Sequence, residues 1–334
     1  MISRCLVVGS GSIARRHIAN LRQLLPDAEI ACASASGRNV STEETAANIC
    51  FSSFSEALSW RPEMAVVASP APLHLEHAAS LLATGIAVLI EKPLSDSLAR
   101  HDALAENLIP YRDRIEVAYN LRFLSSFQRM QTLLKEQIVG RLYSIHIDLG
   151  QYLPDWRPNS DYRKNVSANR NLGGGVLLEL SHEFDYVTKL FGRFDRVFCI
   201  TGQSGALDID VEDSADILLM GSSGLLAQLH MDFLQRKATR RCKVIGQHGN
   251  LLWNLVSNSI TLENASGQEI LFSETDIDRN AMYLELLRGF INLAQGHARP
   301  RITYEEALGV LAMVDAMRQS AETGLPMPIS YISL

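Results

Sequence analysis

One lysine in this chain lies where chemistry on an oxygen atom can be expected. Lys92 follows the short apolar run Ile86–Ile90, which is typical of a buried parallel strand. Open α/β sheets bind their ligands at the carboxyl ends of such strands. An ammonium group at that edge can polarise a hydroxyl, or a carbonyl oxygen that gains charge during a reaction. We therefore predict that Lys92 is a catalytic and ligand-binding residue, and the argument depends on its position and not on its residue type.

A histidine in the second half of the chain is suited to proton exchange. His182 lies in the segment Val176–Tyr186, which is predicted to form one helix with Glu179, His182 and Tyr186 on a common face. An imidazole with an ordinary pKa of about 6.5 can exchange a proton with a hydroxyl near neutral pH. Asp185 either orients this imidazole or serves helix packing alone. His182 is thus the predicted general acid/base, with Asp185 as its candidate partner.

A glycine-rich turn close to the start of the chain indicates a phosphate-binding loop. The apolar run Leu6–Val8 is followed by the pattern G-x-G-x-x-A and by a helix-like segment. Gly9 permits the turn, and Gly11 allows the backbone to approach a pyrophosphate. Ser12 and Ile13 open the helix, whose N–H groups and partial positive charge attract phosphate. The pattern predicts a dinucleotide site, and the alternative is a strand–helix turn that binds nothing.

The end of the second predicted strand bears on which dinucleotide is bound. Glu29–Ala33 runs into Ser34, Ser36 and Arg38, where NAD-binding sheets of this type place a carboxylate. Hydroxyls and a guanidinium bind a 2′-phosphate, whereas a carboxylate would repel it. The segment favours NADP, with NAD still possible because an Asp or Glu from elsewhere can serve. The alternative is a polar surface loop without a ligand.

Composition restricts the class of protein. The chain has 334 residues, enough for two domains, and its net charge of −6 argues against general nucleic-acid binding. Five scattered cysteines without a C-x-x-C pair favour reduced thiols, and His74 and His77 lack a converging third ligand, so no metal is predicted. There is no apolar run of membrane-spanning length and no room for a signal peptide before the glycine turn. We expect a cytoplasmic protein with no membrane partner.

The second half of the chain has a different pattern of predicted strands and helices. Leu142–Gly150 alternates apolar and polar residues, and beyond Arg196 short apolar strands follow one another without a long intervening helix, which predicts a largely antiparallel sheet. The predicted strands there are Val197–Thr201, Ala215–Met220, Leu225–Met231, Lys243–Ile245, Leu251–Trp253 and Ser259–Leu262. Helices return at Ala281–Gln295 and Tyr304–Thr323.

A polar loop precedes the histidine segment and mixes aromatic with basic residues. Trp156 and Tyr162 can stack on a sugar or a base, and Arg157 and Arg163 can hold a carboxylate or a phosphate. These residues are predicted to bind an anionic substrate. An equally weighted alternative is a solvated loop whose aromatic rings pack on its own core.

Taken in order, these motifs resemble those of the Gfo/Idh/MocA oxidoreductases. The resemblance rests on the glycine turn, Ser69-Pro70…His74, Glu91-Lys92-Pro93, Tyr119–Phe123 and Gly173-Gly174-Gly175…His182…Asp185. It implies a Rossmann domain over residues 1–121 and an α+β domain over 122–334 with a large, mostly antiparallel open sheet. It also implies that the helix 304–323 packs back on the first domain and that the open sheet mediates a homodimer or homotetramer.

The resemblance also implies an activity and a set of contacts. Lys92 matches the active-site lysine of the family, and the Lys92–Pro93 bond is often cis in relatives. The residues implied to contact the cofactor, beyond those of the two loops above, are Ser69, Pro70, His74, Glu91, Lys92 and Asn120. The residues predicted to contact the substrate are Lys92, Asn120, Arg122, Trp156, Arg157, Tyr162, Arg163, Glu179 and His182.

The leading hypothesis is an NADP-preferring oxidoreductase that moves a hydride between nicotinamide and a hydroxyl or keto carbon of an anionic sugar, such as a nucleotide sugar or a sugar acid. One alternative is an NAD-dependent cyclitol or sugar dehydrogenase. Another is a non-catalytic regulator that binds NADP and a sugar, although such a module needs neither Lys92 nor His182.

Overall fold

A computed structural model describes residues 2–332 of the chain. These residues form two compact units. The first contains the chain up to Asn120 together with Arg279–Leu311 and Ile332, and the second contains Leu121–Asp278 and Ala312–Tyr331. The predicted boundary at residue 121 lies within one residue of this division, whereas the segment 279–311, assigned from the sequence to the second domain, belongs to the first unit.

Short apolar runs form a parallel six-stranded sheet in the first unit. Its strands are β1 (Arg4–Val8), β2 (Glu29–Ala33), β3 (Ile49–Phe51), β4 (Met64–Val67), β5 (Ala87–Ile90) and β6 (Ile115–Val117). They lie in the order β3-β2-β1-β4-β5-β6, and the side chains of β4 and β5 are wholly buried. Strand order reverses between β1 and β4, which is the position where sheets of this kind bind ligands at their carboxyl edge.

Helices of the first unit follow the strands that they connect. They are α1 (Ser12–Leu24), α2 (Thr42–Thr45), α3 (Phe54–Ser59), α4 (His74–Leu82), α5 (Leu98–Leu108) and, from the later segment, α9 (Ala281–Ala294). Helix α9 lies against α1, where the Asn20 and Asn280 amides hydrogen-bond to each other at 2.8 and 3.1 Å and Arg16 lies 4.6 Å from the Tyr283 ring centroid. These contacts explain why a segment distant in sequence belongs to this unit.

The second unit is organised around a nine-stranded sheet. Its strands are β7 (Leu142–Gly150), β8 (Arg196–Gly202), β9 (Ser214–Met220), β10 (Leu226–Asp232), β11 (Thr239–Gly246), β12 (Gly249–Asn254), β13 (Ser259–Asn264), β14 (Gly267–Ser273) and β15 (Met327–Pro328). The order is β14-β13-β12-β11-β7-β10-β9-β8-β15, antiparallel except for the parallel pair β7–β10. One face is apolar and buried, as Ile145, Ile147 and Leu149 show. The predicted α+β domain with a mostly antiparallel open sheet is confirmed.

Three helices of the second unit connect or cover its strands, α6 (Ser125–Lys135), α7 (Val176–Glu179) and α8 (His182–Phe191). The fully buried Trp253 of β12 donates to Ser126 Oγ of α6 at 2.8 Å, and its ring lies 5.2 Å from that of Tyr186 of α8. The last helix, α10 (Tyr304–Thr323), contributes residues up to Leu311 to the first unit and the rest to the second. It begins with a capping box in which Thr303 and Glu306 each accept from the other's backbone N–H.

The prediction of one continuous helix over Val176–Tyr186 is wrong. The backbone leaves the helical region at Leu180 (φ −98°, ψ 21°), and α7 ends before α8 begins at His182. Glu179 and His182 are therefore not one turn apart on a common helical face, because that spacing holds only within an uninterrupted helix.

Within residues 2–332, no helix combines the length and the hydropathy that a membrane span requires.

Candidate active site

The glycine turn after β1 has the geometry of a phosphate-binding loop. Gly9 has a φ of +117°, and a Cβ atom there would lie 2.7 Å from the carbonyl carbon of Ala68, so this position requires glycine. Gly11 is the N-cap of α1 and no side chain caps the helix. The turn thus directs the N–H groups of the α1 N-terminus, where Ser12 and Ile13 lie, toward any bound anion.

Two arginines and one carboxylate lie beside this turn: Arg15 of α1, Arg38 of the loop after β2 and Glu44 of α2. Arg38 Nη2 donates to Ser10 Oγ at 2.8 Å and to Glu44 Oε1 at 2.7 Å, while Nη1 lies 3.4 Å from Glu44 Oε2. Arg15 donates to the carbonyl oxygen of Ser10 at 3.2 Å, and its Nη1 lies 4.0 Å from Glu44 Oε1. The Arg38 hydrogen bond lowers the pKa of Glu44, and the same contact raises the pKa of Arg38.

Other residues of the predicted NADP segment differ in accessibility. Ser34 is only 3% exposed, and its Oγ has no hydrogen-bond partner among residues 2–332. Ser36 and Arg38 are exposed. The structure therefore places an accessible guanidinium and hydroxyl at this edge, together with Glu44, which the sequence analysis missed. Glu44 follows Arg38 by six residues, and no local spacing rule indicates that the two side chains meet.

The turn that contains Lys92 is fixed by a buried carboxylate. Glu91 Oε2 accepts from the Lys92 backbone N–H at 3.2 Å, and Glu91 Oε1 lies 2.6 Å from Nε2 of His17, which is wholly buried in α1. The Lys92–Pro93 peptide bond is cis. Glu91 thereby joins the Lys92 turn to the helix that follows the glycine turn.

A second buried histidine holds the other side of the same turn. In His74, Nδ1 lies 2.8 Å from the Pro93 carbonyl oxygen, and Nε2 lies 2.7 Å from the Ser69 carbonyl oxygen. His74 is 1% exposed, so the structure places it between the ends of β4 and β5. Pro70 follows Ser69 at the end of β4, and Asn120, 4% exposed, donates its backbone N–H to Ala118 after β6.

In the second unit, Arg122 and Asp185 form a buried ion pair. Arg122 Nε donates to Asp185 Oδ2 at 2.9 Å and Nη2 donates to Oδ1 at 2.6 Å. The two residues are 7% and 1% exposed. This bidentate geometry links α8 to the segment before α6.

His182 and Glu179 lie in the same stretch of the chain as Asp185. His182 is half-buried at the first position of α8, and Glu179 Oε2 accepts from Ser167 Oγ at 3.0 Å. Gly175, with a φ of +100°, precedes α7, and a Cβ there would meet the carboxylate of the half-buried Glu212. Burial raises the pKa of Glu212.

The aromatic and basic loop is held mainly by its own contacts. Trp156 Nε1 donates to the Gln151 carbonyl oxygen at 3.1 Å, and Tyr162 Oη accepts from the Asp208 backbone N–H at 3.1 Å. Arg163 makes a bidentate pair with Asp161 at 2.8 and 2.9 Å. Arg157 is exposed. Three of the four predicted substrate contacts therefore have a structural role in this loop.

Together, the parallel sheet, the glycine turn at its reversal point and the lysine at the end of β5 define a dinucleotide-binding protein of the oxidoreductase type. Residues 3–119 match the family model described as the oxidoreductase family with an NAD-binding Rossmann fold (GFO_IDH_MocA), and residues 127–252 match the GFO/IDH/MocA C-terminal domain. The chain belongs to the Gfo/Idh/MocA family of oxidoreductases.

Known proteins similar to this chain differ in the small molecules that their names mention. A 1,5-anhydro-D-fructose reductase from Ensifer adhaerens is 27% identical over 266 residues, which is 75% of either chain. A levoglucosan dehydrogenase solved with NADH and levoglucosan superposes with a TM-score of 0.83 at 17% identity, covering 99% of this chain and 100% of its own. The WlbA dehydrogenase from Bordetella pertussis, solved with NADH and UDP-GlcNAcA, gives 0.82 at 21% identity, covering 99% of either chain.

Proposed function

We propose that this protein is an NADP(H)-preferring oxidoreductase that transfers a hydride between nicotinamide and a hydroxyl-bearing or keto carbon of a sugar-like molecule. The observation that carries the proposal is the Lys92 turn, which His17 and His74 hold from two sides at the carboxyl edge of the parallel sheet. A bound nicotinamide would supply the hydride acceptor or donor. The names of the relatives, a reductase or dehydrogenase of sugars, support the substrate class.

In this proposal Lys92 and His182 have different tasks. The Lys92 ammonium donates a hydrogen bond to the substrate oxygen, which stabilises negative charge on that oxygen as the C–H bond breaks or forms. His182 accepts the hydroxyl proton during oxidation and returns it during reduction. Asn120 positions a reactant, and Asp185 acts on the site through its pair with Arg122.

The proposed cofactor preference depends on Arg38. Its guanidinium is exposed, lies beside the glycine turn, pairs with Glu44 and is accompanied by Arg15 and the exposed Ser36. Guanidinium groups bind phosphate in bidentate fashion, so this edge favours a 2′-phosphate. NAD remains the second candidate, since the solved neighbours named above were obtained with NADH.

The proposed substrate is an anionic sugar, with Arg157 as the candidate anion contact. Arg157 is exposed, whereas Arg163 is neutralised by Asp161 and lies 3.6 Å from Asp208. One neighbour was solved with a nucleotide sugar acid, and another with the neutral sugar levoglucosan. A neutral sugar or cyclitol is therefore the second candidate.

The test begins with fluorescence titrations of the purified protein with NADPH and with NADH. Sugar acids, nucleotide sugars, neutral sugars and cyclitols are then screened for turnover with the tighter cofactor. Lys92→Ala and His182→Ala should each lower kcat by about 10²-fold or more while the Kd of the cofactor changes little. Lys135→Ala and His146→Ala are matched controls, because both residues are exposed on α6 and β7.

Binding of neither cofactor would refute the proposed function. Cofactor binding with no turnover, and with no loss on changing Lys92 or His182, would favour the regulator that binds NADP and a sugar.

We also propose that the outer face of the nine-stranded sheet mediates a homodimer or homotetramer, as the family resemblance implies. Ile200 and Leu226 point outward there and are 58% and 43% exposed. Light scattering on the protein and on the variant Ile200→Glu tests this assembly, which predicts a smaller species for the variant.

A further inference from the structure

The carboxylate of Glu44 pairs with the guanidinium of Arg38. Its two oxygens face the Nη1 and Nη2 atoms of Arg38, and Oε1 also lies 4.0 Å from Arg15 Nη1. Bidentate pairing of this kind is the geometry that a guanidinium offers to a phosphate. The Glu44 carboxylate thus already pairs with the guanidinium to which the proposed function assigns the 2′-phosphate of NADP.

Glu44 is placed there by the fold and not by a fragile contact. Its backbone N–H donates to Oγ of Ser41, the N-cap of α2, at 3.1 Å. The helix therefore does not depend on the Glu44 side chain. Glu44, Arg38 and Arg15 are all exposed, so the carboxylate contributes little to stability and can be replaced without loss of the fold.

The charges of Glu44, Arg38 and Arg15 determine whether Glu44 strengthens or weakens the binding of a 2′-phosphate. With Glu44 ionised, the two guanidiniums and the carboxylate carry a net charge of about +1, and a 2′-phosphate must approach a group that already has an anionic partner. Two anions on one guanidinium lie roughly 6 Å apart, where water-screened repulsion of a phosphate dianion weakens binding by about fivefold to tenfold. Salt reduces this factor.

From this geometry we infer that Glu44 is a specificity-determining residue, which competes with the 2′-phosphate of NADP for Arg38 and so limits the preference for NADP over NAD. The inference rests on the proposed binding of NADP at this edge. Glu44 weakens the binding of NADP and thereby brings its affinity closer to that of NAD. Removal of its charge strengthens the binding of NADPH and leaves that of NADH unchanged.

The experiment compares dissociation constants of NADPH and NADH, measured by fluorescence titration at low and at high salt, for wild type and three variants. Glu44→Gln removes the charge with little change in shape. Glu43→Gln is the matched control, since it removes an equal charge from the neighbouring exposed position of the same helix. The double variant Arg38→Gln/Glu44→Gln asks whether Glu44 acts through Arg38.

We expect Glu44→Gln to lower the Kd of NADPH by about threefold to tenfold, with the larger factor at low salt, and to leave the Kd of NADH unchanged. Glu43→Gln should change neither, and the double variant should lose the gain. Weaker binding of NADH with an unchanged Kd of NADPH would overturn the inference, because Glu44 would then be the carboxylate that holds the ribose hydroxyls.

An unchanged NADPH Kd in Glu44→Gln, or a gain that Glu43→Gln reproduces, also overturns the inference while the proposed function stands. A wild-type protein that binds neither dinucleotide overturns both.

Discussion

The buried pair of Arg122 and Asp185 allows a role in stability to be separated from a role in catalysis. Asp185→Asn keeps the shape of the side chain and removes its charge, which leaves the Arg122 guanidinium 7% exposed and without the carboxylate that accepts two of its hydrogen bonds. Breaking one side of a buried, well-formed ion pair costs about 3–5 kcal/mol. At about 2–4 °C per kcal/mol for a domain of this size, the melting temperature of the second unit should fall by roughly 6–20 °C.

Calorimetry and urea unfolding are the assays, because neither requires the substrate. Trp253, buried beside Tyr186 of α8, provides a fluorescence probe within the second unit. Arg122→Met should be destabilising to a similar degree, and Arg122→Met/Asp185→Leu should recover a large part of the loss, since both charges of the pair are then removed. The reasoning is refuted if Asp185→Asn unfolds within about 1 kcal/mol of wild type. If that variant also loses turnover, the carboxylate acts in the reaction and not as an ion-pair partner.

Three further predictions concern the first unit. His17→Leu removes the buried donor to Glu91 and should therefore misplace Lys92. We expect kcat to fall by about tenfold or more while the Kd of NADPH changes by less than about threefold. Equal changes in kcat and in Kd would argue for a general loss of structure. Gly9→Ala, strained at a φ of +117° and blocked by Ala68, should lose dinucleotide binding and about 2 kcal/mol or more of stability in urea, and wild-type affinity would contradict the reading of the turn. Burial lowers the pKa of His77 from 6.5 to about 4, so the unfolded chain takes up a proton that the folded chain resists. Stability should therefore fall by up to about 1.4 kcal/mol per pH unit from pH 6.5 toward 4, and His77→Asn should flatten this slope in urea titrations across that range.

The spacing of apolar residues in the sequence was sufficient to predict most of the strands and helices. The unbroken apolar run around Val66 forms a strand, β4, that is buried on both faces. The alternation of apolar and polar residues predicted β7 with its full bounds of Leu142–Gly150. Strand β14, whose burial is low throughout, had no such signal. The one-helix prediction for the histidine segment failed because nothing in the local spacing reports the change of backbone direction at Leu180.

Side-chain partners were much harder to predict than positions. The sequence placed Lys92 just after β5 and Arg38 in the loop after β2, and parallel strands bring their carboxyl ends to one edge. It did not pair Glu91 with His17, which is 74 residues away, or Arg38 with Glu44, because such contacts depend on how helices pack on the sheet. In the second unit it likewise did not pair Arg163 with Asp161 or Trp156 with the Gln151 carbonyl oxygen.

The contacts around Lys92 suggest why the motifs of the first unit occur together. The turn after β5 is held by His17, from the helix after β1, and by His74, from the helix after β4. A helix that follows one strand therefore fixes the loop that follows another. The glycine turn sets the start of α1 and thereby the position of His17, so the glycine turn and the Lys92 turn share one buried link through Glu91. A change in either histidine should disturb Lys92 without altering a residue of the lysine turn itself, and this is the physical reason to treat the separate motifs as one site.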